Sequence, residues 1–284
     1  MPPFRLVQVS DTHLSRTHAY FADNWAVFRE AMRADPPDLI VHSGDVSFNG
    51  PVAADDLAFA AAEMAGLGIP FRVIAGNHDI GEAPAFSRLD QPVNTGRIAA
   101  WRAQFGGPWW QHDIPGWRLV GVDTALMGSG LAEEAEQLAF LASALDGRPA
   151  MLFMHMPPFD RDPGDASPTT SYIPHAARGA FLDLCAAGGV KVIGCGHLHI
   201  HRRMRHRGME IVWAPATAMV NVKAGLKHFR RFPRPGWLEW TLTAKRATFR
   251  LVEPERMFVI DMTGWTKPNG NTTTTLPPLP LRGG

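Results

Sequence analysis

Five short apolar runs in this chain break off into turns that carry aspartate, asparagine or histidine, and no other feature constrains the fold so tightly. Phe4 to Val9 ends in Ser10-Asp11-Thr12-His13, Leu39 to His42 in Gly44-Asp45, and Phe71 to Ala75 in Gly76-Asn77-His78-Asp79. Ala150 to Met154 ends in His155, and Val190 to Cys195 in Gly196-His197-Leu198-His199. Runs of this kind, bounded by glycine or proline, predict buried strands that feed glycine-enabled turns, with Phe71 onward an interior strand. Open α/β sheets place their ligand crevices beyond the carboxyl ends of such strands. The length of 284 residues suggests about two domains. Strand ends that span Asp11 to His199 and serve one site cannot be divided into independent halves, however. Residues 1–252 are therefore expected to form one domain, with 253–284 as an irregular C-terminal extension.

The stretches between the runs read as helices. Asp23 and Asn24 are candidate N-caps of a helix that carries Trp25, Phe28 and Met32 and stops at Asp35-Pro36-Pro37. Val52 to Leu67 is an alanine-rich helix anchored by Leu57, Phe59 and Met64. Further helices are expected near Arg97 to Phe105, over Ala132 to Leu145 and from about His175 to Ala187, with a strand at Trp117 to Val122. Phe159 to Ile173 holds too many Pro, Asp and Ser residues for regular structure and is long enough to act as a lid. After His199 the alternation gives way to hairpins, so Ile211 to Trp213, Trp237 to Thr243 and Ala247 to Val252 are expected to be antiparallel. From Thr263 onward little is available to bury, which predicts a flexible or surface-draped tail.

Composition narrows the partners. An apolar fraction of 45% with nine tryptophans supplies a large core, while no run reaches the ~18 uncharged apolar residues of a membrane span. A net charge of +1 gives no default attraction to nucleic acid or anionic membranes. Cys185 and Cys195 form neither a CxxC pair nor a disulfide framework, and Arg5 interrupts the first apolar run before a secretory core could form. A soluble protein of the cytoplasm is the expectation, with a homo-oligomer allowed.

Asp11 and His13 lie two apart in an extended segment and point the same way, so they can chelate one ion. With Asp45, Asn77, His155, His197 and His199 they make a set of oxygen and imidazole donors without thiolate. Such a set suits manganese, iron or zinc better than copper(I) or an iron–sulfur cluster. One carboxylate can bridge two divalent ions, and ions about 3.5–4 Å apart clamp an oxyanion and lower a shared water's pKa to near neutrality. A phosphoester fits that site, because its oxygens bind the cations while hydroxide attacks in line with the leaving oxygen.

The ordered set Asp11-Thr12-His13, Gly44-Asp45, Gly76-Asn77-His78-Asp79, His155 and Gly196-His197-Leu198-His199 resembles the calcineurin-like metallophosphoesterase superfamily. The resemblance covers about Phe4 to Trp213 and implies a four-layer α/β/β/α sandwich with a dinuclear metal site at one edge. It implies that Asp11, His13, Asp45 and His199 hold one ion, that Asp45, Asn77, His155 and His197 hold the other, and that Asp45 bridges them. The cofactors implied are two divalent or mixed-valence ions of manganese, iron or zinc. His78 matches the position outside the metal shell that contacts the phosphate and assists the leaving oxygen.

Within that superfamily the motif spacing looks like the class III cyclic-nucleotide phosphodiesterases and their glycerophosphodiesterase relatives. It is less similar to the Ser/Thr protein phosphatases, which carry Gly-Asp-x-Val-Asp-Arg-Gly where this chain has Gly44 to Gly50, and Glu where it has Asp79. The implied activity is hydrolysis of a small phosphodiester such as a 3',5'-cyclic nucleotide by a metal-bridging hydroxide. A phosphomonoesterase or glycerophosphodiesterase is the alternative, and a non-catalytic scaffold or a nuclease lies further off.

Loops beside the motifs hold Arg16, His18, Asp160, Arg161 and His175, which are candidates for substrate contact. His42 is read as a satisfied core histidine before a second-sphere partner, His201 as outside the ligand set, and Trp109 and Trp110 as a packing edge. The basic runs Arg202 to Arg207 and Lys227 to Arg231 are read as a solvated hairpin face or subunit contact.

Overall fold

Alternation along the strands sorts the apolar side chains into separate cores, and those cores define the layers. The computed structural model describes residues 2–84, 91–226, 232–261 and 276–281. In chain order its strands are β1 (Phe4–Val9), β2 (Leu39–His42), β3 (Phe71–Val73), β4 (Trp110–Ile114), β5 (Trp117–Gly121), β6 (Ala150–Phe153), β7 (Val190–Cys195), β8 (Arg202–His206), β9 (Met209–Trp213), β10 (Trp237–Leu242) and β11 (Ala247–Val252). The helices that pack on them are α1 (Ala22–Ala34), α2 (Ala54–Ala65), the short turn α3 (Asn77–Ile80), α4 (Thr95–Phe105), α5 (Ala132–Ala144) and α6 (His175–Ala187).

One sheet runs β11-β10-β1-β2-β3 and the other β4-β5-β6-β7-β9-β8. On the first sheet Val7, Val9 and Ile40 turn outward to Trp25, Phe28, Leu57, Met64 and Trp101 of the helices. Their neighbours Leu6, Leu39 and Val41 turn inward and meet Leu119, Met151, Phe153, Val192 and Val212 of the second sheet. On that sheet's far face Val120, Leu152, Ile193 and Ile211 pack with Leu141, Phe181 and Leu182. The result is the expected α/β/β/α sandwich. Parallel pairings of β1 with β2, β2 with β3, β5 with β6 and β6 with β7 bring the ligand-bearing strand ends to one edge.

Several local expectations change. β3 is three residues long and lies at the edge of its sheet, not inside it. α1 begins at Ala22 after Phe21, with no side-chain cap. Asp23 sits in its first turn, where the helix dipole favours a carboxylate. Asn24 is buried because its amide donates to the carbonyls of Thr217, Ala218 and Phe258, and so it is not free to cap. β8 and β9 do form a hairpin, through Arg207 and Gly208 with φ of 50° and 77°, yet β9 runs parallel to β7 on its other side. Of the expected tail, 263–275 and 282–284 lie outside the described residues. Leu276 to Leu281 runs along the loop after His13, with Leu279 N–H donating to Thr17 and Leu281 N–H to Arg16. No helix among the described residues is long and apolar enough to cross a membrane.

Candidate metal centre

Asp11 and His13 follow β1, Asp45 follows β2 and Asn77 follows β3, while His155 comes after β6 and His197 and His199 after β7. Both sheets therefore contribute donors to one edge. Five of these residues have left-handed backbones: Asp11, His13, Asp45, His197 and His199, with φ of 53°, 46°, 53°, 72° and 55°. Such conformations cost on the order of 1 kcal/mol each for non-glycine residues and persist where surrounding structure imposes them. Here the imposition is visible: Asp11 N–H donates to the Gly44 carbonyl (3.0 Å), His13 N–H to that of Asp45 (3.1 Å), and His197 N–H to Asp11 Oδ2 (3.1 Å).

The donor atoms converge in two groups, Asp11, His13, Asp45 and His199 in one and Asp45, His155 and His197 in the other, each spanning no more than 4.8 Å. Asp45 belongs to both. His13 Nε2 lies 3.4 Å from His199 Nε2, and His199 Nε2 lies 3.3 Å from Asp11 Oδ1. The Nδ1–H of His155 donates to the Ser43 carbonyl (2.9 Å), which turns Nε2 toward Asp45 Oδ2 and Asn77 Oδ1, each at 3.2 Å. His197 completes the second group with Nδ1 3.2 Å from His155 Nε2, while its Nε2–H donates to the Thr170 carbonyl at 2.8 Å. Donors sharing one ion through bonds of about 2.1 Å sit about 3.0–3.4 Å apart in tetrahedral or octahedral geometry. The spacings of 3.2–3.4 Å match, and the wider 3.8 Å between His13 Nε2 and Asp45 Oδ2 stays below the ~4.2 Å of donors on opposite sides of such an ion, so the residues present fit a pair of divalent ions.

Electrostatics point the same way. Asp11 and Asp45 are buried, and among the described residues their ion-pair partners are histidines, not lysine or arginine. Burial alone would raise both carboxyls, but His199 holds Asp11 and His155 holds Asp45 below the usual carboxylate range. Burial opposes charge on His155, yet Asp45 beside it pushes its pKa up to about 10. Burial lowers His13, and burial together with His155 lowers His197 to about 4, leaving both rings neutral as ligation requires. A proton on His155 answers a demand for positive charge that a metal ion would meet, and its release would accompany metal binding.

Close approach explains two of the motif glycines. A Cβ on Gly76 would lie 2.9 Å from Asp45 Cγ and closer still to its Oδ1, and one on Gly196 would lie 2.6 Å from Asp11 Oδ2. Asp79 binds the turns together by accepting from the N–H groups of Gly76 (2.8 Å) and Ser47 (2.8 Å) and from Ser47 Oγ (2.7 Å). Burial, then Asp45, pushes its pKa up to about 6. His78 stands half-buried beside the groups, its ring edge-on to His13 at 4.6 Å. Its N–H donates to Asp45 Oδ1 (2.8 Å) and its Nδ1–H to the Phe48 carbonyl (2.9 Å), which leaves Nε2 for a ligand.

Other candidates fall outside the groups. Half-buried His18 stacks on the Phe48 ring at 4.9 Å, and exposed Arg16 lies over Phe59 at 5.3 Å. Asp160 pairs with Arg202, and Arg161 and His175 are exposed. His201 bonds the Trp213 carbonyl, and Trp110 donates to that of Val73. His42 Nε2 bonds Thr12 Oγ1 (2.9 Å), and so braces the residue between two donors. Arg202, Arg203 and Arg207 pair with Asp160, Glu210 and Asp183, and 227–231 lies outside the described residues. Thr170 escaped the sequence reading because it contributes only a carbonyl, which no residue type announces.

Two sheets packed face to face, with paired Asp/His groups at their common edge, define a metallophosphoesterase fold. A family model described as calcineurin-like phosphoesterase matches residues 4–201, and the chain belongs to that family. It is 29% identical over 170 residues to a probable glycerophosphodiester phosphodiesterase, GpdQ, of Arcobacter nitrofigilis, a match spanning 54% of this chain and 57% of that protein. The chain thus matches little more than half the length of that relative. Among solved structures it resembles a dimetal phosphatase from Danio rerio, with a TM-score of 0.58, 16% identity and coverage of 89% and 98% of the two chains. It also resembles the purple acid phosphatase PPD1 of yellow lupin (Lupinus luteus), with a TM-score of 0.67, 14% identity and coverage of 91% and 53%. At those identities the likeness is one of fold.

Proposed function

We propose that the chain is a metal-dependent phosphoester hydrolase, a phosphodiesterase for small diesters. Asp11, His13, Asp45 and His199 would hold one ion and Asp45, Asn77, His155 and His197 the other. The observation that carries the reading is the placement of Asp45 in both donor groups. Two divalent ions there supply Lewis acidity and an ionised water near neutral pH. As an imidazolium, with its Nδ1–H held by the Phe48 carbonyl, His78 can give its Nε2 proton to the leaving oxygen and remain a neutral ring. Among diesters, the relation to the Arcobacter protein favours a glycerophosphodiester over the 3',5'-cyclic nucleotide suggested by motif spacing. Ion pairing along β8 leaves little of its basic run for a polyanion, which supports a small substrate over nucleic acid.

The test is a turnover panel with manganese, iron or zinc supplied separately, using glycerophosphocholine, 3',5'-cyclic AMP, bis(p-nitrophenyl) phosphate and p-nitrophenyl phosphate. Diester turnover that chelation abolishes is expected. Faster monoester than diester hydrolysis would overturn the diesterase assignment, and no turnover with any metal would overturn the enzymatic reading.

A further inference from the structure

We infer that Arg178 is a positioning residue for the second donor group, acting through the loop between β6 and α6 on His197; this rests on the dinuclear reading above. Arg178 lies on α6 and is only 3% exposed. Buried guanidinium groups ordinarily meet carboxylates. Among the described residues no carboxylate forms an ion pair with this one. Its Nη1 donates to the carbonyls of Pro163 (2.9 Å) and Asp165 (2.8 Å), and its Nη2 to that of Ile173 (3.1 Å). A planar fork can grip two separated stretches of backbone at once, which the point charge of a lysine cannot.

Between the gripped stretches lies Thr170, whose carbonyl accepts the Nε2–H of His197 at 2.8 Å. That bond selects the tautomer. With the proton held on Nε2, the Nδ1 lone pair faces His155 and the second donor group, at 3.2 Å from His155 Nε2. Elsewhere the loop is tied by Asp160 to Arg202 and by half-buried Tyr172, whose ring lies 6.2 Å from that of Trp213. Its ends are tied by buried Phe159 and by Ile173, whose N–H donates to the Pro157 carbonyl, but 165–168 is exposed. A cavity of about 420 Å³ lined by Ser167, Thr169, Pro174 and Arg178 separates the middle of the loop from the start of α6. The guanidinium therefore ties the largely exposed middle of the loop, at Pro163 and Asp165, to the packed end at Ile173, and its reach extends to one donor group only. Among the described residues no hydrogen bond, ion pair or ring contact joins Asp11, His13 or His199 of the first group to 159–173.

The experiment is Mn(II) titration of the full chain, followed by equilibrium dialysis and by electron paramagnetic resonance, for the wild type, Arg178→Ala and Arg178→Gln. The wild type should bind two ions and show an exchange-coupled signal. Both variants should keep one ion at near wild-type affinity, bind the second about 10–100-fold more weakly, the usual effect of losing a partner of a metal-bound histidine, and show uncoupled Mn(II) at intermediate loading. Arg178→Lys should rescue partly at most. Unchanged binding of both ions, equal weakening of both, or failure of Arg178→Ala and Arg178→Gln alike to fold would each overturn the inference while leaving the dinuclear reading standing. A wild type that binds fewer than two ions would overturn that reading, and the inference with it.

Discussion

Replacing Gly76 by alanine tests whether Asp45 must sit where it does. Gly76 has φ of −112°, which any residue can adopt, so the substitution adds no backbone strain. What it adds is a methyl group 2.9 Å from Asp45 Cγ, nearer still to Asp45 Oδ1 and the Asp45 nitrogen. Ordinary carbon contacts are about 3.5–4.0 Å, so the carboxylate or the Gly76 turn must retreat by on the order of 1 Å. Overpacking of that kind costs about 1–3 kcal/mol, and a displacement of about 1 Å at a reacting centre costs roughly 10²-fold in rate. Retreat of Asp45 also pulls Oδ1 from the His78 N–H, 2.8 Å away. Gly76→Ala is therefore expected to lose metal from both groups and at least 10²-fold in turnover. Metal content after dialysis, bis(p-nitrophenyl) phosphate hydrolysis with saturating manganese, and urea unfolding measure the three effects. Gly179→Ala is the control, since a Cβ there meets nothing within 4 Å and the helix should gain slightly. Full occupancy and wild-type turnover in Gly76→Ala would refute the claim that this glycine exists to make room for a shared carboxylate.

Other outcomes follow from the same geometry. His78→Ala should retain both ions while turnover falls about 10²–10⁴-fold, the worth of one general acid–base group; parallel loss of metal would show that His78 is a ligand or a support. Asp123 is fully buried, and burial raises its pKa from 3.8 to about 7, so the folded state holds its proton more tightly than the unfolded chain does. Its contribution is complete below the unfolded value and is lost as pH rises from about 4 to about 7, by on the order of 4 kcal/mol at most. Asp123→Asn should flatten that slope in urea unfolding at pH 5 and pH 8, and an unaltered slope would discount the group. Removing metal with chelator should lower Tm by on the order of 10 °C relative to saturating manganese, as linkage predicts for ions bound about 1,000-fold above Kd, and coincident melting curves would argue against bound metal.

The donor residues were legible because each sits one to four positions past an apolar run, where strand direction alone decides which edge it reaches. The layers were legible for a related reason: Leu6 and Val7, or Leu39 and Ile40, are adjacent apolar residues that must face different cores. What sequence could not show lies in long-range pairing. β3 is a short edge strand because little of Phe71 to Ala75 finds a neighbour beyond β2, and residue type carries no record of that. The parallel register of β9 on β7 depends on a chain reversal at Arg207-Gly208 that looks the same for any hairpin. Arg178 resembles a surface arginine on an amphipathic helix until the loop ending at Ile173 is laid over it. Asn24 reads as a cap and serves instead to satisfy three carbonyls from segments more than 190 residues away.

Each donor group draws on both sheets, and that decides where the precision of the site comes from. Asp11, His13 and Asp45 ride on the first sheet, but His199, which joins them, rides on the second. Asp45 in turn joins His155 and His197 across the same seam. Loop hydrogen bonds cross that seam, from His155 to the Ser43 carbonyl and from His197 to Asp11, and beneath them lies the inner core, where Leu39 and Val41 face Met151, Phe153 and Val192. Phe153 lies two residues before His155, and Val41 four before Asp45. The distances of 3.2 Å between His155 Nε2 and its oxygen neighbours are thus set by how two sheets of interdigitated side chains close on each other. Close-packed interiors resist small displacements, so the same burial that stabilises the sandwich also holds seven strained or buried polar groups in register. The surrounding loops carry no such obligation, so under the proposed function they would be free to set which phosphoester is accepted while the core would keep the metals in place.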